Sequence, residues 1–286
     1  MIDLEKARIE MENINNNKIK KIPISDVFKR KQEKYEYLKA NNWKLWPVTP
    51  FPKIDNITKW FKKWWIVWIG AFSNTGKSQL SYYYAQHFIK SWLDVAYFSL
   101  EVSSEDVLIM INQYYNWVSY KESASLQYSS SLDKLSIYDV WDYSHISEIE
   151  LYVRQLKPDI IFIDFIQILD CEWASEYDKL SNAIRRLQKL WIETGTTIIY
   201  LSQISNESNK ETDIFNINLK GSWNLVSSSD YVFIMKRWNV NWEIVYWLKK
   251  NKHWVAYKTF WLMFDFEHWK CVFDWEMEQH IETNKF

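Results

Sequence analysis

Residues 64–78 read WWIVWIGAFSNTGKS, and the order of residue types in this stretch decides the fold. Ile66, Val67 and Ile69 are β-branched and apolar, as a buried strand requires, and Ser73-Asn74-Thr75-Gly76 has the composition of a tight loop. Lys77-Ser78 then opens a helix predicted to run to about Lys90. Strand, polar loop and Gly-Lys-Ser at a helix start form a cradle for nucleotide phosphates. The backbone of Ala71, Phe72, Ser73, Asn74, Thr75 and Gly76 turns its N–H groups inward, the helix dipole favours an anion, Lys77 reaches the β- and γ-phosphates, and Ser78 binds Mg²⁺. The first glycine of G-x-x-x-x-G-K-[ST] falls on Ala71, with Gly70 one residue early. A bare Gly-Lys-Ser is also an ordinary helix start; the strand before it is what favours nucleotide binding.

The chain has 286 residues, enough for one large domain with an extension or two small ones. A formal net charge of −1 announces no global field for nucleic acid, and the local runs Lys18–Lys21, Lys29–Lys34 and Lys249–Lys252 read as solvated faces. Cys171 and Cys271 form no C-x-x-C pair and fit a reducing cytosol. The N-terminus is polar, without the apolar stretch of a signal peptide, and the longest apolar run, Ile160–Leu169, contains Asp164. The expectation is a soluble cytoplasmic protein with no membrane partner.

Glycine and tryptophan counts are abnormal, at 4 and 19. Ordinary usage is about 7% glycine, roughly 20 residues at this length, which the two counts reach only together. Trp64-Trp65 precede a strand, Trp92 and Trp191 each stand between a helix and a strand, and Trp242 and Trp269 occupy polar, hairpin-like turns. Those are positions that favour left-handed backbone or close approach, which glycine supplies and tryptophan does not. The expectation is that most of these tryptophans are UGA codons that the source organism reads as glycine, so that they serve neither as core nor as stacking residues. A truly tryptophan-rich protein is the alternative.

Residues 1–22 are rich in Asn, Lys and Glu and read as a disordered tail, and 276–286 is assigned as a C-terminal tail. Asp26 to about Ala40 forms an amphipathic helix, and Pro47, Pro50 and Pro52 mark an irregular lead-in. Strands are expected at 66–71, 94–100, 159–169 and 196–202, separated by helices at 77–90, 103–116, 146–156 and 176–191. After a polar loop at 203–219 come short strands near 231–236, 243–249, 258–264 and 271–273. Apolar strands alternating with helices predict an α/β fold whose mostly parallel sheet is flanked by helices, with antiparallel hairpins at its C-terminal end.

Three polar residues end three of these strands. Asp164 follows four apolar residues at the strand end where open α/β sheets place ligands, and beside a phosphate loop it is a Mg²⁺-supporting carboxylate. Glu101 ends VAYFSLE and can orient and deprotonate an attacking water; otherwise it is a first-turn glutamate of the next helix. Gln203 ends TIIYLSQ and can sense a γ-phosphate by hydrogen bond.

The sequence FSLE at 98–101, FIDFIQIL at 162–169, YLSQIS at 200–205 and LKKNKHW at 248–254, behind AFSNTGKS, resembles the bacterial replicative DNA helicases, hexamers with a RecA-like motor. The likeness extends over about residues 43–275, and reading Trp as Gly in 46–70 sharpens it. It implies a RecA-like ATPase of 46–275 that uses ATP and Mg²⁺, moves on single-stranded DNA, and assembles as a homo-hexamer with active sites at subunit interfaces and a primase or loader as partner. It implies Glu101 as catalytic base, Lys77 and Ser78 on phosphate and metal, Asp164 on metal, and Gln167 and Gln203 as coupling and γ-phosphate-sensing residues. Lys250 and Lys252 fall where the family places a lysine and an arginine finger directed at the neighbouring subunit's ATP; Lys252 stands in place of arginine. The 203–219 loop resembles the DNA-facing loop, with Lys210 and Lys220 its basic residues. Family members carry an N-terminal helical domain, where this sequence has about 40 residues before the motor, and 23–45 is assigned as a linker helix, with a helix packed on its own chain as the alternative. A RecA relative that remodels or loads complexes without unwinding, and a nucleotide-regulated binding module, are the rival readings. A small-molecule kinase lacks support, because no arginine-bearing lid is apparent.

Overall fold

The computed structural model describes residues 23–40, 48–58, 65–126, 130–139, 144–171, 176–204, 223–238, 243–252, 256–265 and 270–274. The chain divides into two units, Met1–Lys44 and Leu45–Phe286. In the first, helix α1 (Ile24–Ala40) carries Asp26 in its opening turn and Lys39 in its last, each matching the helix dipole.

The second unit is built on a nine-stranded sheet of described residues. In chain order its strands are β1 (Ile66–Ala71), β2 (Val95–Ser99), β3 (Leu135–Asp139), β4 (Ile160–Asp164), β5 (Thr197–Gln203), β6 (Tyr231–Arg237), β7 (Glu243–Asn251), β8 (Lys258–Asp265) and β9 (Lys270–Asp274). Across the sheet they run β3-β2-β4-β5-β1-β6-β7-β8-β9. Pairing is parallel from β3 to β6 and antiparallel from there to β9. The intervening helices are α2 (Pro52–Thr58), α3 (Lys77–Lys90), α4 (Ser104–Asn116), α5 (Tyr120–Ser125), α6 (Ile146–Leu156), α7 (Glu176–Thr194) and α8 (Trp223–Ser228).

Every residue of β1, β2 and β4 is buried, because the sheet is covered on both faces. Alternation along β1 sends Val67, Ile69 and Ala71 into one core with Leu80, Ala85 and Phe88 of α3. Ile66 and Trp68 enter the other, with Ile149 and Val153 of α6 and Ile184 and Leu187 of α7. Among the described residues no helix is long and apolar enough to cross a membrane.

Three sequence expectations need correction. The strand expected at 159–169 stops at Asp164, where the chain turns, although Ile166 and Leu169 still reach the core from the turn. Strand β3 was not anticipated; it is an edge strand, half-buried throughout, so its LSIYD pattern lacks the apolar run of its neighbours. Helix α7 continues to Thr194, which places Trp191 inside the helix, and the left-handed residue after it is Gly195 at φ 74°.

Among the described residues, two tryptophans do occupy glycine-type backbone. After α3, Leu93 N–H donates to Phe88 C=O and Trp92 N–H to Ile89 C=O, the two bonds of a Schellman ending, with Trp92 at φ 62°. After α4, Trp117 and Val118 N–H both donate to Gln113 C=O, with Trp117 at φ 60°. These are the backbone geometries that Gly195 supplies after α7, although Lys157 ends α6 the same way at φ 48°. The expectation that tryptophans stay out of the core and do not stack fails at Trp65, which is buried against the Tyr231 ring, and at Trp68, Trp247 and Trp261, which are buried because they project from interior strands. Trp68 donates its indole N–H to Ser202 Oγ at 2.5 Å, whereas the buried indole N–H groups of Trp191 and Trp261 find no partner among the described residues. Trp64, Trp242 and Trp269, and both tails, lie outside the described residues.

Candidate functional site

Strand β1 delivers the chain to a loop, Phe72–Gly76, at the C-terminal edge of the parallel strands. Asn74 (φ 57°) and Gly76 (φ 87°, ψ 25°) bend it back into α3. Gly76 is required twice over: its backbone is left-handed, and a Cβ there would stand 2.7 Å from Phe264 Cε2. As N-cap of α3 it offers no side chain to the first N–H groups of the helix, which leaves them to an anion. The loop and the first turn of α3 line a cleft of about 330 Å³ together with Glu101 and Gln203.

Sheet register explains why distant residues meet there. Ser99 of β2 lies level with Asp164 of β4, and Ala71 of β1 level with Gln203 of β5. Four adjacent parallel strands therefore end on one edge, and Glu101, Asp164, Lys77 and Gln203 share it. Lys77 Nζ lies 3.1 Å from Asp164 Oδ1 in a largely buried pair, and 4.2 Å from the centre of the Phe165 ring. Gln203 donates its amide N–H to Ser73 Oγ at 2.6 Å. Gln167, in the turn after β4, brackets the backbone of Gln203: its Nε2 donates to Gln203 C=O at 2.9 Å, and Gln203 N–H donates to its Oε1 at 3.4 Å.

A bound cation is a matter of donor chemistry. Ser78 and Asp164 supply hard oxygen ligands, and Asp164 Oδ1, buried, has no hydrogen-bond partner among the described residues apart from its ion pair with Lys77. No group of three or more His, Cys, Asp or Glu converges among the described residues. That combination fits Mg²⁺, which keeps waters and takes substrate phosphate oxygens in place of an all-protein cage.

Lys250 and Lys252 are not in this cleft. Val232 pairs with Lys250 and Tyr231 with Asn251, and Tyr231 lies level with Val67, so both lysines sit toward the N-terminal edge of β1, at the far end from the loop. Lys250 donates to the C=O groups of Val226 (2.7 Å) and Ser227 (3.0 Å) near the end of α8, and burial lowers its pKa. Lys252 Nζ pairs at 2.8 Å with Oδ1 of buried Asp230, whose Oδ2 accepts the Ile66 N–H at 3.1 Å. Lys210, Lys220 and the 205–222 loop lie outside the described residues. Sequence reasoning missed Tyr97, which donates its hydroxyl to Asp164 Oδ2 at 3.0 Å; on an apolar strand it carries no signal of its own until β2 and β4 are known to be neighbours.

Comparison with known proteins identifies the family and the fold. The family described as DnaB-like helicase C terminal domain matches residues 48–256. The replicative DNA helicase DnaB of Helicobacter pylori (strain ATCC 700392 / 26695) is 28% identical over 211 residues, covering 66% of this chain and 43% of that protein. The chain thus spans less than half the length of this curated relative. Among solved structures, a DnaB-like replicative helicase described with its interactions with primase superposes with a TM-score of 0.71 at 20% identity, covering 94% of this chain and 74% of the other. Another solved structure, described as an ATPase domain, gives 0.68 at 21% identity, covering 86% of this chain and 98% of the other. At such identity these two show a shared RecA-like fold. With the family match extending over most of its length, the chain belongs to the DnaB-like helicase C-terminal domain family.

Proposed function

We propose that residues 46–275 form the ATP-hydrolysing motor of a ring-forming helicase that moves on single-stranded DNA, with 23–45 as the linker helix. The observation that carries this reading is the convergence of Lys77, Glu101 and Gln203 on one cleft at the start of α3, with Asp164 paired to Lys77 beside it. The N–H groups of the loop and of α3 hold the phosphates, and Lys77 turns from Asp164 to the β- and γ-oxygens. Ser78 and Asp164 would hold Mg²⁺, which would supply neutralisation of phosphate charge. Glu101 orients a water for in-line attack on the γ-phosphate and takes its proton. Gln203, now bonded to Ser73, exchanges that partner for the γ-phosphate and passes the change to Gln167.

Lys250 and Lys252 lie at the edge of the sheet away from their own cleft, as residues serving a neighbouring subunit would. The same reading includes a homo-hexamer with shared sites, primase or a loader as partner, and a cytoplasmic setting. The test is direct. Lys77→Ala abolishes DNA-stimulated ATPase activity, and Glu101→Gln binds ATP without turning it over; normal turnover by Glu101→Gln places the base elsewhere. A second reading, a RecA-like ATPase that remodels or loads complexes without unwinding, draws on the pairing of Lys252 with Asp230 in its own chain and on lysine standing for arginine. Unwinding of a forked duplex separates the two.

A further inference from the structure

We propose that Tyr97 is a positioning residue that aims the Asp164 carboxylate at the metal side of the phosphate cleft, with Ser81 as its anchor on α3. The inference rests on the nucleotide reading above and extends it to residues outside the cleft lining.

Tyr97 on β2 is fully buried, and so is Ser81 on α3. The Tyr97 hydroxyl lies between Ser81 Oγ at 2.7 Å and Asp164 Oδ2 at 3.0 Å. Proton counting gives this contact a direction. An ionised carboxylate only accepts, so the single phenolic proton goes to Asp164. Ser81 then supplies the hydrogen of its contact with Tyr97, or turns it to Ser78 C=O, also 2.7 Å away. Either way Ser81 sits between the backbone of Ser78, the proposed metal-binding hydroxyl residue, and the phenol that holds Asp164.

The ring itself cannot swing. It stacks on Phe162 at 5.4 Å between centroids and packs against Tyr82 at 5.6 Å, and it belongs to the core beneath α3. Burial, then the nearby charge of Asp164, keep the phenol protonated by raising its pKa well above the usual tyrosine value.

The two oxygens of Asp164 are therefore held from two sides, Oδ1 by Lys77 and Oδ2 by Tyr97. When Lys77 turns to phosphate, Oδ1 is released toward the cation, and Tyr97 alone among the described side chains still fixes the carboxylate plane. The terminal torsion of aspartate is otherwise broad. Phenylalanine would fill the same volume, so packing alone does not call for the hydroxyl.

The test uses the full chain with a fluorescent ADP analogue, titrated without Mg²⁺ and then with increasing Mg²⁺. For Tyr97→Phe we expect metal-free affinity within about twofold of wild type and a half-saturating Mg²⁺ concentration about tenfold higher, as loss of a hydrogen bond to a charged group implies. Ser81→Ala shifts the Mg²⁺ requirement in the same direction by about threefold, and carries the test should Tyr97→Phe fail to fold. Wild-type Mg²⁺ dependence in the folded Tyr97→Phe protein overturns the assignment, as does an equal loss of affinity with and without the metal. Absence of nucleotide binding in the wild type overturns the nucleotide reading itself.

Discussion

Trp92 offers a sharp test of the backbone argument, through the pair Trp92→Ala and Trp92→Gly. Both remove the same indole, which is 76% exposed, so the difference between them isolates the Cβ at φ 62°. A Cβ in the left-handed region costs roughly 1–2 kcal/mol. Glycine gives back roughly 0.4–1 kcal/mol through the greater freedom of the unfolded chain. The glycine variant should therefore be the more stable by about 1 kcal/mol, or about 2–4 °C in Tm for a domain of this size. At a position with ordinary helical or extended backbone the sign is opposite, with alanine ahead. Thermal and urea unfolding of the two variants decide the matter, and an alanine variant equal to or above the glycine variant refutes the reasoning. Trp117 at φ 60° should behave alike, because both substitutions also remove its contact with Lys90.

Protein isolated from its source organism should show glycine at Trp92 and Trp117 in peptide mass spectrometry; tryptophan masses there end the recoding hypothesis. Asp55 is buried with Oδ2 unpartnered among the described residues, and desolvation pushes its pKa up to about 7. Its folded value thus exceeds the unfolded one, so stability falls as pH rises from about 4 to 7, by on the order of a few kcal/mol, and levels off above. Asp55→Asn should flatten that slope in urea melts taken across the range. Lys252→Ala leaves the buried Asp230 carboxylate without its cation and should lower stability by about 1–3 kcal/mol in urea unfolding. An unchanged midpoint would falsify the ion pair with Asp230.

Much of this architecture was legible because its signals are local. Buried parallel strands read as apolar runs, and the polar loop follows β1 directly, so the strand–loop–helix order around Ala71–Ser78 was readable from composition and order alone. Glu101 and Gln203 stood out because each is polar after an apolar run, and Asp164 because it interrupts one. What failed depended on partners far away in sequence. Ile166 and Leu169 enter the core from a turn, and apolar pattern alone cannot distinguish that from a continuing strand. Strand β3 is set by pairing with β2 at the sheet edge, more than by its own half-buried residues. Trp191 precedes the actual helix end by one turn, and Gly195 was the residue to read. The contact of Tyr97 with Asp164 needed the strand order, which no single stretch contains.

The place of β1 between β5 and β6 also bears on how the molecule is made. Ile66 pairs with Ile198 on one side, and Val67 with Tyr231 on the other. Both partnerships close loops of well over a hundred residues, so the middle of the sheet cannot zip until late in synthesis, and a high contact order slows the search. During refolding from denaturant, secondary structure in the β2–β4 region should accordingly appear before the phosphate loop can grip a nucleotide.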